Sequence, residues 1–477
     1  GTIVMAGHLP DNQMKMNSML KVETDGTVTE GEDKESLNVA GAGEVIIYIS
    51  ADTDYKNQYP HYRSGETDQQ LAESVAKDVL DASEMGFEIV KDRHLTDYQR
   101  LFGRVTLDIG QTFSEKTTDE LLTAYKTDAT LEEKKLYEAL LYQYGRYLTI
   151  ASSREGDLPS NLQGVWQNRT TGIEWGSDYH MNVNLQMNYW PTYSSNLSEC
   201  AIPLIEYVDS LRTPGRVTAE SYFGIESRPG EANGFSAHTQ NTPFGWTCPG
   251  WSFDWGWSPA AVPWILQNCW EYYEYTGDVE YMRKNLYPML REEAILYDQI
   301  LIDSGVKITL EDGTESTRLV SAPAYSPEWG ERTLGNVYDN SLIWQLYEDA
   351  ATAADILGVD EDLAAHWREN QSRLSPIEIG DSGQIKEWFD ETTVNPGQHR
   401  HMSHLLGLYP GDLIAMDNEE WREAAQVSLG YRGFTGSDIR GWAYAQRMCA
   451  WARTGDEAGA YKALSQLIKI RIYPNLW

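Results

Sequence analysis

Apolar residues change their spacing near residue 130. Before it, short runs separated by turn signals read as strands: Thr2–Met5, Met14–Val22 and Gly43–Ser50, with Asp25-Gly26 as a turn between the last two. Ala72–Gly86 interrupts them with a helical pattern, and Val105–Ile109 reads as a last strand. Residues 1–110 therefore read as part of a β-sandwich, with fewer strands than such a domain normally has. Residues 111–130, rich in Thr, Glu, Lys and Asp, read as a linker. From 131 onward the period is that of helices. Leu131–Ser152 is one long amphipathic helix, followed by helical patterns at 199–212, 259–276, 278–303, 339–357, 359–373, 417–429, 439–454 and 456–470. Thr276-Gly277-Asp278 and Thr454-Gly455-Asp456 are helix stops. The connections 153–198, 227–258, 305–338 and 374–404 are long and hold most of the polar and aromatic clusters. Paired helices with loaded loops predict a mainly α domain, an α/α toroid over 131–477. No 34-residue repeat marks it as a solenoid.

The densest cluster is Trp175–Trp190, where His180, Asn182 and Asn184 alternate with Met181, Val183 and Leu185. In an extended segment that period of two sends the three polar side chains to one side and the apolar ones to the other. Buried amides need partners. The row either lines a pocket for a polyhydroxylated ligand or a reacting water, or ties two helices together through a structural network.

Composition narrows the partners. With 38 basic against 72 acidic residues the net charge is −34, which repels nucleic acid and anionic membranes. Seventeen Trp and 29 Tyr against nine Phe supply flat apolar faces with polar tips, suited to sugar rings as well as to a helical core. Cys200, Cys248, Cys269 and Cys449 lack zinc spacing. No stretch approaches the ~18 apolar residues of a membrane span. Residues 1–25 do not pair a charged region with an apolar one as a signal peptide does.

Four further clusters carry candidate chemistry. Glu328 lies between Pro327 and Trp329 in a loop stiffened by Pro323. An indole beside a carboxyl favours the neutral acid, and so a proton donor. His399-Arg-His-Met-Ser-His404 offers donors to sugar hydroxyls, or alternatively a zinc site on His399, His401 and His404. Glu387-Trp388 pairs an acid with an aromatic face, as a sugar-binding subsite does. His238 opens a run that continues through Trp246, Trp251, Trp255, Trp257 and Trp264. Nucleotide-binding and serine-hydrolase signatures are missing. Polar loops, stacking aromatics and isolated carboxyls together point to glycoside cleavage, which needs a general acid and a means of activating water. No cofactor is implied.

Seven ordered stretches sharpen this reading: Gly145-Arg-Tyr147, Pro159–Trp166, Trp175–Trp190, Asn196-Leu-Ser-Glu199, Ser326-Pro-Glu328, Gly383–Trp388 and His399–His404. They closely resemble the inverting α-L-fucosidases of glycoside hydrolase family 95, which act mainly on Fucα1-2Gal linkages. The resemblance implies an N-terminal β-sandwich, a linker and an (α/α)6 barrel. It implies Glu328 as general acid, and Asn182 and Asn184 as the pair that holds the nucleophilic water. It also implies substrate contacts from His180, His399, His401 and Trp264. In such inverting sites the acid and the basic apparatus stand about 6.5–9.5 Å apart. The substrate expected is a fucosylated glycan, with no metal, no nucleic acid and no insertion into a membrane, in an extracellular or cell-surface setting.

Two departures set limits. The family backs its asparagines with an Asp in a Gln-Ile-Asp-Gly-Asn motif, which this sequence lacks, and the helix tally falls short of twelve. We therefore expect these 477 residues to be an interior slice of a longer enzyme. Where the family has paired histidines followed by Asn-Thr-Asp, this chain has Ala237-His-Thr-Gln-Asn-Thr-Pro243. That puts the sugar itself in question, and α-L-galactosidase activity in the same site is the nearest rival. A catalytically silent glycan-binding protein is the rival from another class.

Overall fold

Capping chemistry sets many of the helix starts in the computed structural model, which describes residues 1–390, 399–434 and 439–476, with only the backbone of Trp329. The chain divides into two compact units, Gly1–Arg104 and Val105–Trp477.

In the first unit, strands Thr2–His8, Lys15–Thr24 and Val45–Thr53 form an antiparallel sheet in that order, with Thr2 opposite Lys21 and Met16 opposite Thr53. A separate hairpin joins Thr27–Glu30 to Leu37–Ala40. Helix Asp68–Met85 begins at a Thr67/Gln70 capping box and buries Leu71, Val75, Val79 and Ser83. That four-residue spacing makes one face of the helix. A second helix, Phe87–Phe102, follows where the pattern predicted none. The strand expected at Val105–Ile109 is irregular chain.

The second unit is mainly helical. The expected linker 111–130 contains helix Thr118–Lys126, started by a Thr117/Glu120 capping box. Its Leu121, Leu122 and Tyr125 pack on Tyr137 of helix Leu131–Ser152 and on Ile468 near the other end of the unit. Apolar residues inside a polar stretch thus outweighed its composition. Helix Arg212–Phe223 was also missed, because Pro214-Gly215 reads as a breaker. Pro214 falls in the first turn, where its missing N–H is tolerated. A Cβ on Gly215 would sit 3.1 Å from Phe235 and the Ser236 carbonyl, so the glycine permits close packing.

The other predicted helices occur as Ile202–Ser210, Ala261–Thr276, Tyr287–Ile300, Val337–Leu357, Glu361–Leu374, Glu419–Arg432, Gly441–Arg453 and Glu457–Arg471. Gly277 and Gly358 end two of them in the left-handed region. Residues 305–338, expected as loop, hold most of two hairpins: Ile302–Thr309 with Glu315–Val320, and Ala324–Ser326 with Trp329–Thr333. Ser326 pairs with Trp329, which leaves Pro327 and Glu328 as the tip of the second hairpin.

Candidate active site

The Trp175–Trp190 stretch opens with a 3-10 turn at Glu174–Ser177 and is extended only briefly after it, from Asp178. Tyr179 N–H donates to the Asn241 carbonyl at 2.9 Å and Met181 N–H to that of Thr239 at 2.7 Å. The chain then turns at Asn182–Val183 and enters helix Asn184–Tyr189. Tyr179, Met181 and Leu185 join one core cluster and Val183 another. The apolar half of the alternation therefore does face inward, although the strand-like geometry stops two residues early.

The polar half meets Glu328. A cleft of about 1130 Å³ is lined by His180, Asn184, Glu328 and Arg400, with Trp166, Trp175, Trp251, Trp442, Tyr144 and Tyr147 among its aromatic walls. Asn182 is buried behind this wall, and its Nδ2 donates to Glu328 Oε1 at 2.7 Å. The other carboxylate oxygen, Oε2, accepts from Arg400 and lies 3.6 Å from His401 Nε2. Burial pushes this carboxyl up, but His401, Arg400 and Asn182 outweigh it and hold it well below the usual carboxylate range. The neutral acid expected from a neighbouring indole is thus not the ground state: Glu328 rests as an anion. The Trp329 side chain that motivated the expectation lies outside the described residues. The contact between Asn182 and Glu328 also corrects the expected gap, since no sugar ring fits between two groups already hydrogen-bonded.

His180 is buried, with Nδ1 2.9 Å from Asp178 Oδ2 and its ring 5.9 Å from that of Trp175. His401 is buried behind Glu328 and packs on Trp442 at 4.7 Å. Burial pushes its imidazole down, against the pull of Glu328. His399 stacks on His401 at 5.6 Å outside the cleft wall, pushed down to about 4 chiefly by burial.

Four expected substrate contacts are placed elsewhere. Trp264 is 1% exposed and packs edge-on against Tyr338 in the core. His238 is fully buried, accepts from Ser258 N–H at 3.1 Å, and is pushed down to about 3 by burial. Glu387 is sealed inside, accepting from Ser326 Oγ at 2.7 Å and paired with Arg432. Its neighbour Trp388 packs where a Cβ on Gly330 would come within 2.5 Å. Glu387 and Trp388 therefore brace the hairpin that carries Glu328, and reach no ligand in the cleft. His404 stands 3.9 Å from Glu387 and is pushed down to about 4 by burial. Among the described residues, no three His, Cys, Asp or Glu side chains are grouped to hold a metal.

Sequence reasoning named the Arg of the His399–His404 motif only as a donor to sugar hydroxyls, not as the partner of Glu328 that Arg400 is. It also gave no role to Trp166, Trp175 and Trp442 as cleft walls. The signal available was their position inside the motifs already singled out.

Comparison with known proteins agrees on the family. The model of the glycosyl hydrolase family 95 catalytic domain matches residues 86–477, and that of the glycosyl hydrolase family 65 N-terminal domain matches 1–58. The chain is 30% identical to alpha-L-fucosidase 2 of Arabidopsis thaliana over 94% of its own length and 52% of that protein's. It is 31% identical to probable alpha-fucosidase A of Aspergillus niger, over 91% and 54% respectively. It thus spans about half the length of these relatives. A solved structure assigned as a kojibiose phosphorylase from the human microbiome superposes with a TM-score of 0.62 at 10% identity, covering 98% of this chain and 62% of that one, and shows a shared fold. No described helix is long and apolar enough to cross a membrane.

Proposed function

Because the chain belongs to glycosyl hydrolase family 95 and has that family's mainly α, (α/α)6 barrel architecture, we propose that its cleft releases terminal L-fucose, α1-2 linked to galactose, from glycans with inversion. The observation that carries this reading is the grip of Asn182, Arg400 and His401 on Glu328 at the wall of an aromatic-lined cleft.

Glu328 is the proton donor to the glycosidic oxygen. It must first gain a proton, which its anionic resting state forbids while Arg400 and Asn182 hold it. Glycan oxygens that draw the Arg400 guanidinium and the Asn182 amide away leave the half-buried carboxyl with only His401 opposing burial, which favours the protonated form. Asn182, freed from Glu328, joins Asn184 in orienting water against the opposite face of the anomeric carbon. The C–O bond breaks as the leaving oxygen takes the Glu328 proton. Neutral amides accept no proton, so the water's proton passes to a separate carboxylate, the role that the family gives to the Asp of its Gln-Ile-Asp-Gly-Asn motif.

The test uses 2′-fucosyllactose and the nitrophenyl glycosides of L-fucose and L-galactose. The protein is expected to cleave the fucosides faster than the L-galactoside. Glu328→Gln is expected to lower turnover by about 10²–10⁴-fold, the usual worth of a general acid. Near-normal turnover of the variant would remove Glu328 from the role. Faster release of L-galactose would reassign the sugar, and fucoside binding without product would favour the silent glycan-binding protein.

A further inference from the structure

The cleft wall holds a hydrogen-bonded pair that the reaction above does not use. Asp178 and His180 are both buried, at 5% and 7% exposure, and meet at 2.9 Å between Asp178 Oδ2 and His180 Nδ1. His180 lines the cleft and Asp178 does not. A carboxylate only accepts hydrogen bonds, so the nitrogen facing it carries the proton. That leaves Nε2 as the polar atom the ring offers to a ligand.

The loop behind the pair is built at a cost. Trp175, Gly176 and Ser177 take φ of 50°, 64° and 55°, three consecutive residues in the left-handed region. Two of them carry a side chain, which that region disfavours, so the path persists only because the surrounding structure imposes it. The path brings the Trp175 ring against His180 and delivers Asp178 to its Nδ1 within a few residues. The Leu162 N–H, donating to the Asp178 carbonyl at 3.1 Å, ties the end of the loop to a neighbouring cleft-lining segment.

We infer that Asp178 is a positioning residue. It holds His180 in the tautomer protonated on Nδ1, so that Nε2 accepts a hydrogen bond from a sugar hydroxyl in the cleft. The inference rests on the reading of the cleft as a glycoside site. The tautomer it assigns is the less common one for a free imidazole, so the carboxylate has a measurable effect. Asparagine in its place presents an amide N–H₂ to Nδ1 and permits the opposite tautomer, in which Nε2 donates and no longer accepts.

The experiment uses the full 477-residue chain labelled with ¹⁵N at its nine histidines, the His180 signals being identified by their loss in His180→Gln. Wild type is expected to show the Nδ1–H form, and Asp178→Asn the Nε2–H form with an unchanged urea midpoint. In parallel, kcat/KM for nitrophenyl L-fucoside is expected to fall about tenfold or more in Asp178→Asn, as when a misdirected tautomer disables a histidine, and to recover in part in Asp178→Glu. An Nε2–H signal in wild type overturns the inference, as does Asp178→Asn with both tautomer and kcat/KM unchanged. If Asp178→Asn does not fold, the wild-type tautomer and Asp178→Glu still decide. Wild type that shows the Nδ1–H form but neither binds nor cleaves any fucoside would instead defeat the functional reading.

Discussion

Two glutamates in this molecule stand in nearly the same company. Glu328 precedes Trp329 and meets Arg400 and His401, while Glu387 precedes Trp388 and meets Arg432 and His404. Both are anions, because in each case the partners outweigh the burial that pushes a carboxyl up. The difference lies on the far side. Glu328 borders the cleft, and its third partner is the Asn182 amide. Glu387 is enclosed, and its third partner is Ser326, two residues before Glu328 in the same hairpin. An acid paired with an arginine and a histidine, with Trp next in sequence, is therefore no mark of chemistry by itself. Access for a ligand separates the proton donor from its scaffold.

Removing each acid should separate the two sharply. Glu387→Ala takes the carboxylate away from the buried Arg432 charge, and is expected to cost about 3–5 kcal/mol of stability. Glu328→Gln is expected to shift stability by ~1 kcal/mol or less, the range of a partly solvated pair. Urea unfolding of both variants checks this, and equal losses would break the comparison.

The histidines offer a second, smaller contrast. His238 and His404 are held neutral by burial, at about 3 and about 4 against an ordinary 6.5. Their contribution is complete above pH 6.5. It is lost as pH falls toward 4, because the unfolded chain takes up protons that the folded chain refuses. The slope is up to ~1.4 kcal/mol per pH unit for each ring. Unfolding between pH 7.5 and 4.5 should show this fall, and His404→Gln should flatten it. An identical slope in the variant would mean that the ring behind Glu387 is not held neutral.

The smallest effect concerns the two arginines. Lysine cannot reproduce a planar, multi-donor grip. Arg432→Lys is expected to lower stability by about 1–2 kcal/mol, within the range for a disturbed buried charged hydrogen bond. Arg400→Lys should leave stability unchanged and instead move the acid limb of the pH–rate profile. A stability loss in Arg400→Lys as large as that in Arg432→Lys would erase the distinction drawn between the two acids.

Much of the fold was written in local pattern. The long helices from 131 onward lie where a 3.6-residue period, capping residues and glycine stops put them, because each of those signals acts within one or two turns. Helix Thr118–Lys126 was hidden because a few apolar residues in a polar stretch look like linker until Tyr137 and Ile468 cover them. The hairpins within 302–333 were hidden because short strands in a polar connection carry little periodicity.

The site divides in the same way. Residue types and their order drew attention to His180, Asn182, Asn184, Glu328 and the His399–His404 run, since alternation and motif spacing are properties of the chain, and the family resemblance supplied their expected roles. Tertiary structure decided which polar and aromatic clusters reach the cleft. Trp264, His238, Glu387 and Trp388 carry the same chemistry but were folded inward or behind a hairpin, while Arg400 and Trp175 were turned toward the cavity. Burial and ion pairing depend on groups 70 to 150 residues away in sequence, as Asn182 and Arg400 are from Glu328. No local pattern records that distance, so only the assembled structure could settle the ionisation of the acid and the direction each side chain faces.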